Sequence, residues 1–390
     1  MTRPIVGLLA GAIGLLTQAP GATPPPLTAL SDVEFWSMVQ DTSEPGGAFH
    51  SDNFTSNEPN FAQVAATLAT SGPHGGAYLG VGPEQNFHYI VAIRPAVAVI
   101  FDIRRQAVVQ HLLYKALFEL SADRAEFIAR LFSLSRPAGV DRTTPIEVLW
   151  QEFGEAPATD RSKLVANIAD VEARLTKTHG FALSDEDVKS LEYVYDAFFR
   201  LGPAITYAGD KPGLSTGNTN FIKLTSAKDD AGVARSFLGT DAQYQFLKSL
   251  EEHNLLVPIQ ADFAGPKSLR AIGDFLRAKG LRVSAFYISN VEQYLFHPQM
   301  PAAPGGMEIN GGWKAFYDNL AALPADDATV LLRVPISTIQ SGVMIRRTLP
   351  DGTTRMEARP AIPFCPLRKF LTDVQAGKIA TQADATACGR

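Results

Sequence analysis

The sequence predicts an α/β protein on a Rossmann-like, mostly parallel sheet, with a helical insertion and a C-terminal β-hairpin. Three observations carry this. Ala77-Tyr78-Leu79 reads as a short strand that runs into Gly80-Val81-Gly82-Pro83 and then a helical segment. Ala96 to Asp102 is a continuous apolar run, rich in β-branched residues and closed by an acid. From Leu255 onward, strand and helix patterns alternate again. Such alternation calls for a parallel sheet covered by helices on both faces.

The chain has 390 residues, of which 46% are hydrophobic and 19% charged, enough for one large core or two modest ones. Its net charge of −5 gives no reason to expect a nucleic-acid partner, since phosphate binding needs a basic face. Only short basic pairs occur, at Arg104-Arg105 and Arg346-Arg347.

Residues 1–22 read as a secretory signal. Arg3 supplies the positive end, Ile5 to Leu16 is apolar, and Gly21 or Ala22 suits the last removed position. The apolar run is too short for a comfortable membrane span, so the mature chain is expected to have none. The protein is then exported or periplasmic if the signal is used, and cytoplasmic otherwise. The two cysteines, Cys365 and Cys388, lie in the tail at 359–390. They form either one disulfide in an oxidising compartment or two unpaired thiols.

Residues 23–72 hold a proline spacer, a short amphipathic helix at 28–41 and a polar loop from Ser43 to Glu58. A loop this long and polar is often functional. The Rossmann-like domain follows at 73–358. Its first helix runs from Glu84 to Ile93, with Pro83 suited to the first turn. Pro95 ends it, and Ala96–Asp102 is the second strand. A long helix is expected from Gln106 to Phe132. The insertion covers about 135–252, with helical spacing over Asp160–Thr176 and Ser184–Arg200. Leu255–Ile259 is a strand ending near Asp262, and Pro266–Lys279 is a helix closed by Gly280. Val283–Ile288 is a strand ending at Ser289-Asn290. Thr329–Val334 is another. Val343–Thr348 and Thr353–Glu357 flank Pro350-Asp351-Gly352 as a hairpin.

Chemistry concentrates at the first strand–helix turn. Gly80 and Gly82 allow a ligand to approach the backbone, and the helix start favours polar or anionic groups. Asp102, 22 residues after Gly80, is placed to accept ribose hydroxyls. The structural alternatives are a tight turn and a helix cap. Gln85 replaces the third glycine of a dinucleotide fingerprint, although Arg104 and Arg105 would suit a 2′-phosphate.

Residues 75–120 and 250–358 resemble class I S-adenosylmethionine-dependent methyltransferases. The resemblance implies that Gly80, Val81, Gly82 and Asn86 pass the methionine part of the cofactor. It implies that Asp102, with Ile103 and Arg104, binds the ribose, and that Asp262 and Phe263 border the adenine. It places Ser289-Asn290-Val291-Glu292 where acceptor and methyl group meet. Tyr287 and Asn290 would then orient the acceptor, and Glu292 would act as a base or hold a cationic acceptor. Asn53, Asn57 and Glu58 are expected either to close over the crevice and its small acceptor or merely to satisfy the loop backbone, and for Tyr287, Asn290 and Glu292 other roles also stand. The structural alternatives are a core tyrosine, a helix cap and a solvated acid. Tyr78 stands where the family often has an acid, and Glu84 where it often has a glycine. No Asn/Asp-Pro-Pro-aromatic box is present, so a DNA base is an unexpected acceptor. The chain also resembles uncharacterised bacterial proteins with GVGPEQN-, DIRRQ- and FYISNVEQYL-like segments.

Two rivals stand beside methyl transfer: an NADP-dependent oxidoreductase, and an exported, non-catalytic protein that binds a nucleoside or another small molecule. Gly213-Leu214-Ser215-Thr216-Gly217 matches a nucleophile elbow in letters but reads as loop on both sides. The seven histidines show no metal-ligand spacing, so no metal is expected.

Overall fold

The computed structural model describes residues 27–58, 60–154, 158–211, 219–296, 312–333, 343–348, 353–359 and 364–388. The proposed signal, Gly213–Gly217, Val334 and the Pro350-Asp351-Gly352 turn lie outside them.

Five strands form the parallel sheet: β1 (Ala77–Val81), β2 (Val97–Asp102), β3 (Leu256–Gln260), β4 (Val283–Ser289) and β5 (Ala325–Arg333). Val343–Thr348 (β6) and Thr354–Arg359 (β7) pair as the expected antiparallel hairpin. Phe364–Pro366 (β8) adds an antiparallel edge to β5. The six-stranded order is β3-β2-β1-β4-β5-β8. This is the Rossmann-like α/β architecture the sequence predicts. The connection leaves β1 toward β2 on one side and returns through β4 on the other, so the order reverses between β1 and β4. Crevices for ligands open at such a reversal, beyond the carboxyl ends of the strands. β1 and β2 are buried almost throughout, which is why they are near-continuous apolar runs.

Four helices precede or follow the first strands: α1 (Asp32–Asp41), α2 (Phe61–Ser71), α3 (Gln85–Ile93) and α4 (Arg105–Leu120). Ser31 and Glu34 close α1 with a reciprocal capping box. The expected helix from Gln106 to Phe132 is two helices. It breaks at Ser121-Ala122-Asp123, where Asp123 accepts from the backbone N–H of Glu126 and starts a new helix, Arg124–Leu131. The expected Asp160–Thr176 helix is α-helical over Arg161–Glu172 and widens to a π-turn at Ala173–Thr178.

The helical insertion shares the main core. Phe198, on the helix Asp185–Leu201, packs against Tyr114 of α4 and against Phe132. Arg105 makes a two-pronged ion pair with Asp187 at 2.7 and 2.9 Å. At the other end of the chain Cys365 and Cys388 are joined, with Cα atoms 5.3 Å apart. The bond fastens the last helix, Gln382–Thr386, to β8.

The polar loop is a strap along the carboxyl edge of the sheet. Glu44 donates its N–H to the carbonyl of Gln260 at the end of β3 (2.9 Å). Gly47 donates to the carbonyl of Ile103 just past β2 (2.9 Å). The N–H of Ser56 donates to Glu84 after β1 (2.9 Å). Glu58 accepts from the hydroxyl of Ser289 at the end of β4 (2.6 Å). The strap therefore visits β3, β2, β1 and β4 in their spatial order. Gly46 is required where it crosses, because a Cβ there would sit 2.9 Å from the carbonyl of Ile103 and 1.7 Å from Gln260.

Candidate functional site

The two glycines of the first turn have different jobs. Gly80 stands beside Tyr287 across the β1–β4 register. A Cβ on Gly80 would lie 1.8 Å from Oδ1 of Asn86. The space is filled from within: Asn86 donates to the carbonyls of Val81, Gly82 and Pro83 and accepts from Tyr78 Oη–H. Gly80 and Asn86 thus build the turn rather than face a ligand. Gly82 has φ +84° and nothing within 4 Å of the position a Cβ would take. It is the glycine that leaves open space, and only glycine holds that conformation without strain. Its carbonyl is held by His111 Nε2–H at 2.9 Å. Burial lowers the His111 pKa to about 4, so the ring is neutral and its Nδ1 is a bare acceptor with no partner among the described residues.

Asp102 is already engaged. Arg104 donates Nε–H to Oδ1 at 2.9 Å, Nη2–H to Oδ2 at 2.7 Å and its backbone N–H to Oδ1 at 2.9 Å. The remaining Arg104 nitrogen, Nη1, donates to the carbonyl of Ser51 on the strap (2.7 Å). Ile103 is partly exposed and gives its carbonyl to Gly47. Val81 is partly exposed at the end of β1.

Other expected residues are drawn elsewhere. Glu292 is not free to act as a base. It is buried, takes two bonds from Arg333 at 2.6 and 3.1 Å and accepts from Tyr317 Oη–H at 2.7 Å. Arg333 in turn stacks on Phe370. The helix Val291–Phe296 turns Glu292 away from the strap into this ion pair. Phe263 is core, packed against Phe101, Phe286 and Phe316, and does not border a ligand. Asp262 accepts from the N–H of Ala264 and closes the turn after β3. Burial raises its pKa, and Glu44 adds to the effect. Asn57 is exposed and takes no part in the covered region. Asn53 is partly exposed in a left-handed conformation, φ +52°.

What the fold does bring together lies between β1, β4 and the strap. Ser289 ends β4 with φ +48°, a strained conformation for a residue with a side chain. Its hydroxyl donates to Glu58, and Tyr287 lies within hydrogen-bonding reach of the same carboxylate. Tyr89 meets Tyr287 edge-on with centroids 5.1 Å apart. Gln85 donates Nε2–H to Tyr89 Oη at 2.9 Å, and its Oε1 is buried without a partner among the described residues. Asn290 is partly exposed beside Tyr294. On the other side of the turn, Glu84 is 0% exposed and accepts from Thr55 and Ser56 of the strap. Its Oε2 has no partner among the described residues. Burial raises its pKa to about 7. Burial also raises that of Glu58, against the hydrogen bonds from Ser289 and Tyr287.

Tyr89, the place of Gln85 beside it and the pairing of Glu58 with Ser289 are not marked by any motif in the sequence. Gln85 and Tyr89 follow the glycine turn on one face of α3, a spacing of four that was available as a signal. The Glu58–Ser289 contact left none, since 231 residues separate its ends.

Among the described residues no three His, Cys, Asp or Glu side chains converge as a metal site. No helix among them is long and apolar enough to cross a membrane. A family described as a domain of unknown function, DUF7790, matches residues 53–179 and 218–347. The chain belongs to that family. No curated protein matches it.

Proposed function

We propose that this member of the DUF7790 family is an S-adenosylmethionine-dependent, methyltransferase-like protein acting on a small acceptor. The observation that carries the reading is Gly82. It is left-handed, backed by open space, and stands at the end of β1 where the strand order reverses. Gly82 leaves room there for the methionine end of the cofactor. Asp102 holds one further acceptor position on Oδ2 for a ribose hydroxyl while Arg104 keeps its place. When bound, the cofactor supplies an electrophilic methyl group. The chain's part is orientation: Tyr287 and Ser289 stand at the end of β4, and the strap excludes water above them. Rate would come chiefly from alignment.

The oxidoreductase reading loses its support. Arg104 and Arg105 are tied to Asp102 and Asp187, so neither is free for a 2′-phosphate. Glu84 sits as the N-cap residue of α3, where a pyrophosphate would have to bind, and repels it. The exported binding protein keeps one specific support: the Cys365–Cys388 bond suits an oxidising compartment. Finding the mature N-terminus near Ala22 in a periplasmic fraction would favour it.

Calorimetric titration of the purified chain with S-adenosylmethionine, with NADP as comparator, tests the proposal. The control variant is Gly82→Val, which fills the open space and leaves the Asp102–Arg104 pair untouched. Micromolar binding that the variant loses supports the reading. Absence of binding by the intact chain sinks it.

A further inference from the structure

We propose that the crevice takes an ammonium group: the carboxylate of Glu58, with Tyr287, Tyr89, Ser289 and the free Oε1 of Gln85 around it, binds the protonated amine of the small acceptor. This names the substrate class of the site above. It rests on that reading for the word acceptor, while the amine-binding step stands on its own observations.

The first observation is charge. Several buried carboxylates in this protein are answered by arginine: Asp102 by Arg104, Asp187 by Arg105, Glu292 by Arg333. Glu58 has no such answer. Its surroundings are the hydroxyls of Ser289 and Tyr287, with no lysine or arginine acting on it among the described residues. Glu84, across the glycine turn, is fully buried and equally without a cation. A buried charge is ordinarily paired or neutralised. Two such carboxyls flanking one turn have no internal cation to pair with, so a cationic ligand can supply that partner and a phosphate cannot.

The second observation is the lining. Gln85 is 1% exposed, its amide lies at the Tyr89 hydroxyl, and its Oε1 has no partner among the described residues. An ammonium carries donors and no acceptor, so it fits a carboxylate and an amide oxygen together. Tyr89 and Tyr287 meet edge-on with Tyr287 at the Glu58 carboxylate, and aromatic faces attract cations. Ser56 on Glu84 and Glu58 on Ser289 hold the strap across this region, so the pairing is made away from bulk water, where charge attraction is strongest.

The experiment uses the intact chain and three aromatic probes of similar shape: benzylamine, benzyl alcohol and benzoate. Ligand-observed NMR gives each affinity, with and without S-adenosylmethionine. Benzylamine is expected to bind at least tenfold more tightly than either comparator. Glu58→Gln should lower that affinity at least tenfold. Tyr287→Phe, which keeps the ring, should lower it less and serves as a second variant if Glu58→Gln fails to fold. Equal binding of benzoate or benzyl alcohol overturns the inference, as does an unchanged benzylamine affinity in Glu58→Gln, or no binding by any probe. S-adenosylmethionine binding without amine preference removes this inference and leaves the functional reading. Amine preference that depends on Glu58, without S-adenosylmethionine binding, does the reverse.

Discussion

Arg104 grips both carboxylate oxygens of Asp102, at 2.9 and 2.7 Å, and with its last free nitrogen holds the carbonyl of Ser51 on the strap. The acid expected to meet a ribose is therefore also the anchor of the segment that covers the crevice. Asp102→Ala leaves a buried guanidinium unpaired, a change that typically costs about 3–5 kcal/mol. Urea denaturation should show that loss. Adding Arg104→Leu to Asp102→Ala should recover a large part of it, and a double variant as unstable as the single one would deny the pairing its role.

The two glycines of the first turn should respond differently. Gly80→Ala drives a Cβ to 1.8 Å from Asn86 Oδ1 and 2.8 Å from Tyr78, so it should lose about 2 kcal/mol by overpacking. Gly82→Ala meets no atom and pays only for its left-handed backbone, about 1 kcal/mol. Thermal melts of the pair give the ranking, and the reverse order would contradict the turn described above.

Glu292 is a structural anion. Glu292→Ala should destabilise the protein by about 3–5 kcal/mol, because Arg333 stays buried without its partner. Exchanging both residues for methionine should restore most of the stability. Ligand affinity of that double variant should match the parent, since the pair faces Tyr317 and Phe370 and not the strap. A large loss of affinity in a well-folded double variant would return Glu292 to the site.

Glu251 should make stability fall as pH rises. It is buried with both carboxylate oxygens unpartnered, and burial raises its pKa from 4.5 to about 8. Between those values the folded chain keeps a proton that the unfolded chain has released. The stabilisation is thus fully present below pH 4.5 and lost as pH climbs to about 8. Glu251→Gln should remove the slope and gain on the order of a few kcal/mol over the parent at pH 8. Parallel denaturation curves at pH 5 and pH 8 decide it: a variant advantage equal at both rules out the titration.

Joining Cys365 to Cys388 closes a loop across a separation of 23 residues, worth roughly 3 kcal/mol by chain entropy. Melting with and without reductant should show the difference. Cys365→Ser with Cys388→Ser should match the reduced parent, and indifference to reductant would mean that the thiols do not pair.

How much of this could be read from the residues depends on distance along the chain. β2 and β4 were legible because a strand buried on both faces is a near-continuous apolar run; Val97–Phe101 is unbroken and Val283–Ile288 is interrupted only by Ser284. The break at Ser121–Asp123 was signalled by Asp123 as a cap, but the apolar spacing on either side hid it. β8 has three residues and pairs by backbone alone, so its letters carry no pattern. In the site, Gly82 and Asp102 were visible as residue types. Their partners were not: Arg104 looked like a phosphate ligand until its geometry tied it to Asp102. Glu292 likewise reads as a first-turn helix acid until Arg333, distant in sequence, claims it.

The Glu58–Ser289 contact has a consequence for how the protein is made. Its two ends are 231 residues apart, so the cover emerges from the ribosome long before the strand it docks on. At a synthesis rate of about 5–20 residues per second, the wait is on the order of ten to fifty seconds. For the first part of that interval Phe54, buried in the finished molecule against Tyr193 and Phe198, waits for those partners. The nascent chain must either shield it in the helices that follow or pass it to a chaperone. Closure of the crevice is accordingly a late event in biogenesis, and a chain truncated before Ser289 would display the strap to the cell's quality-control machinery.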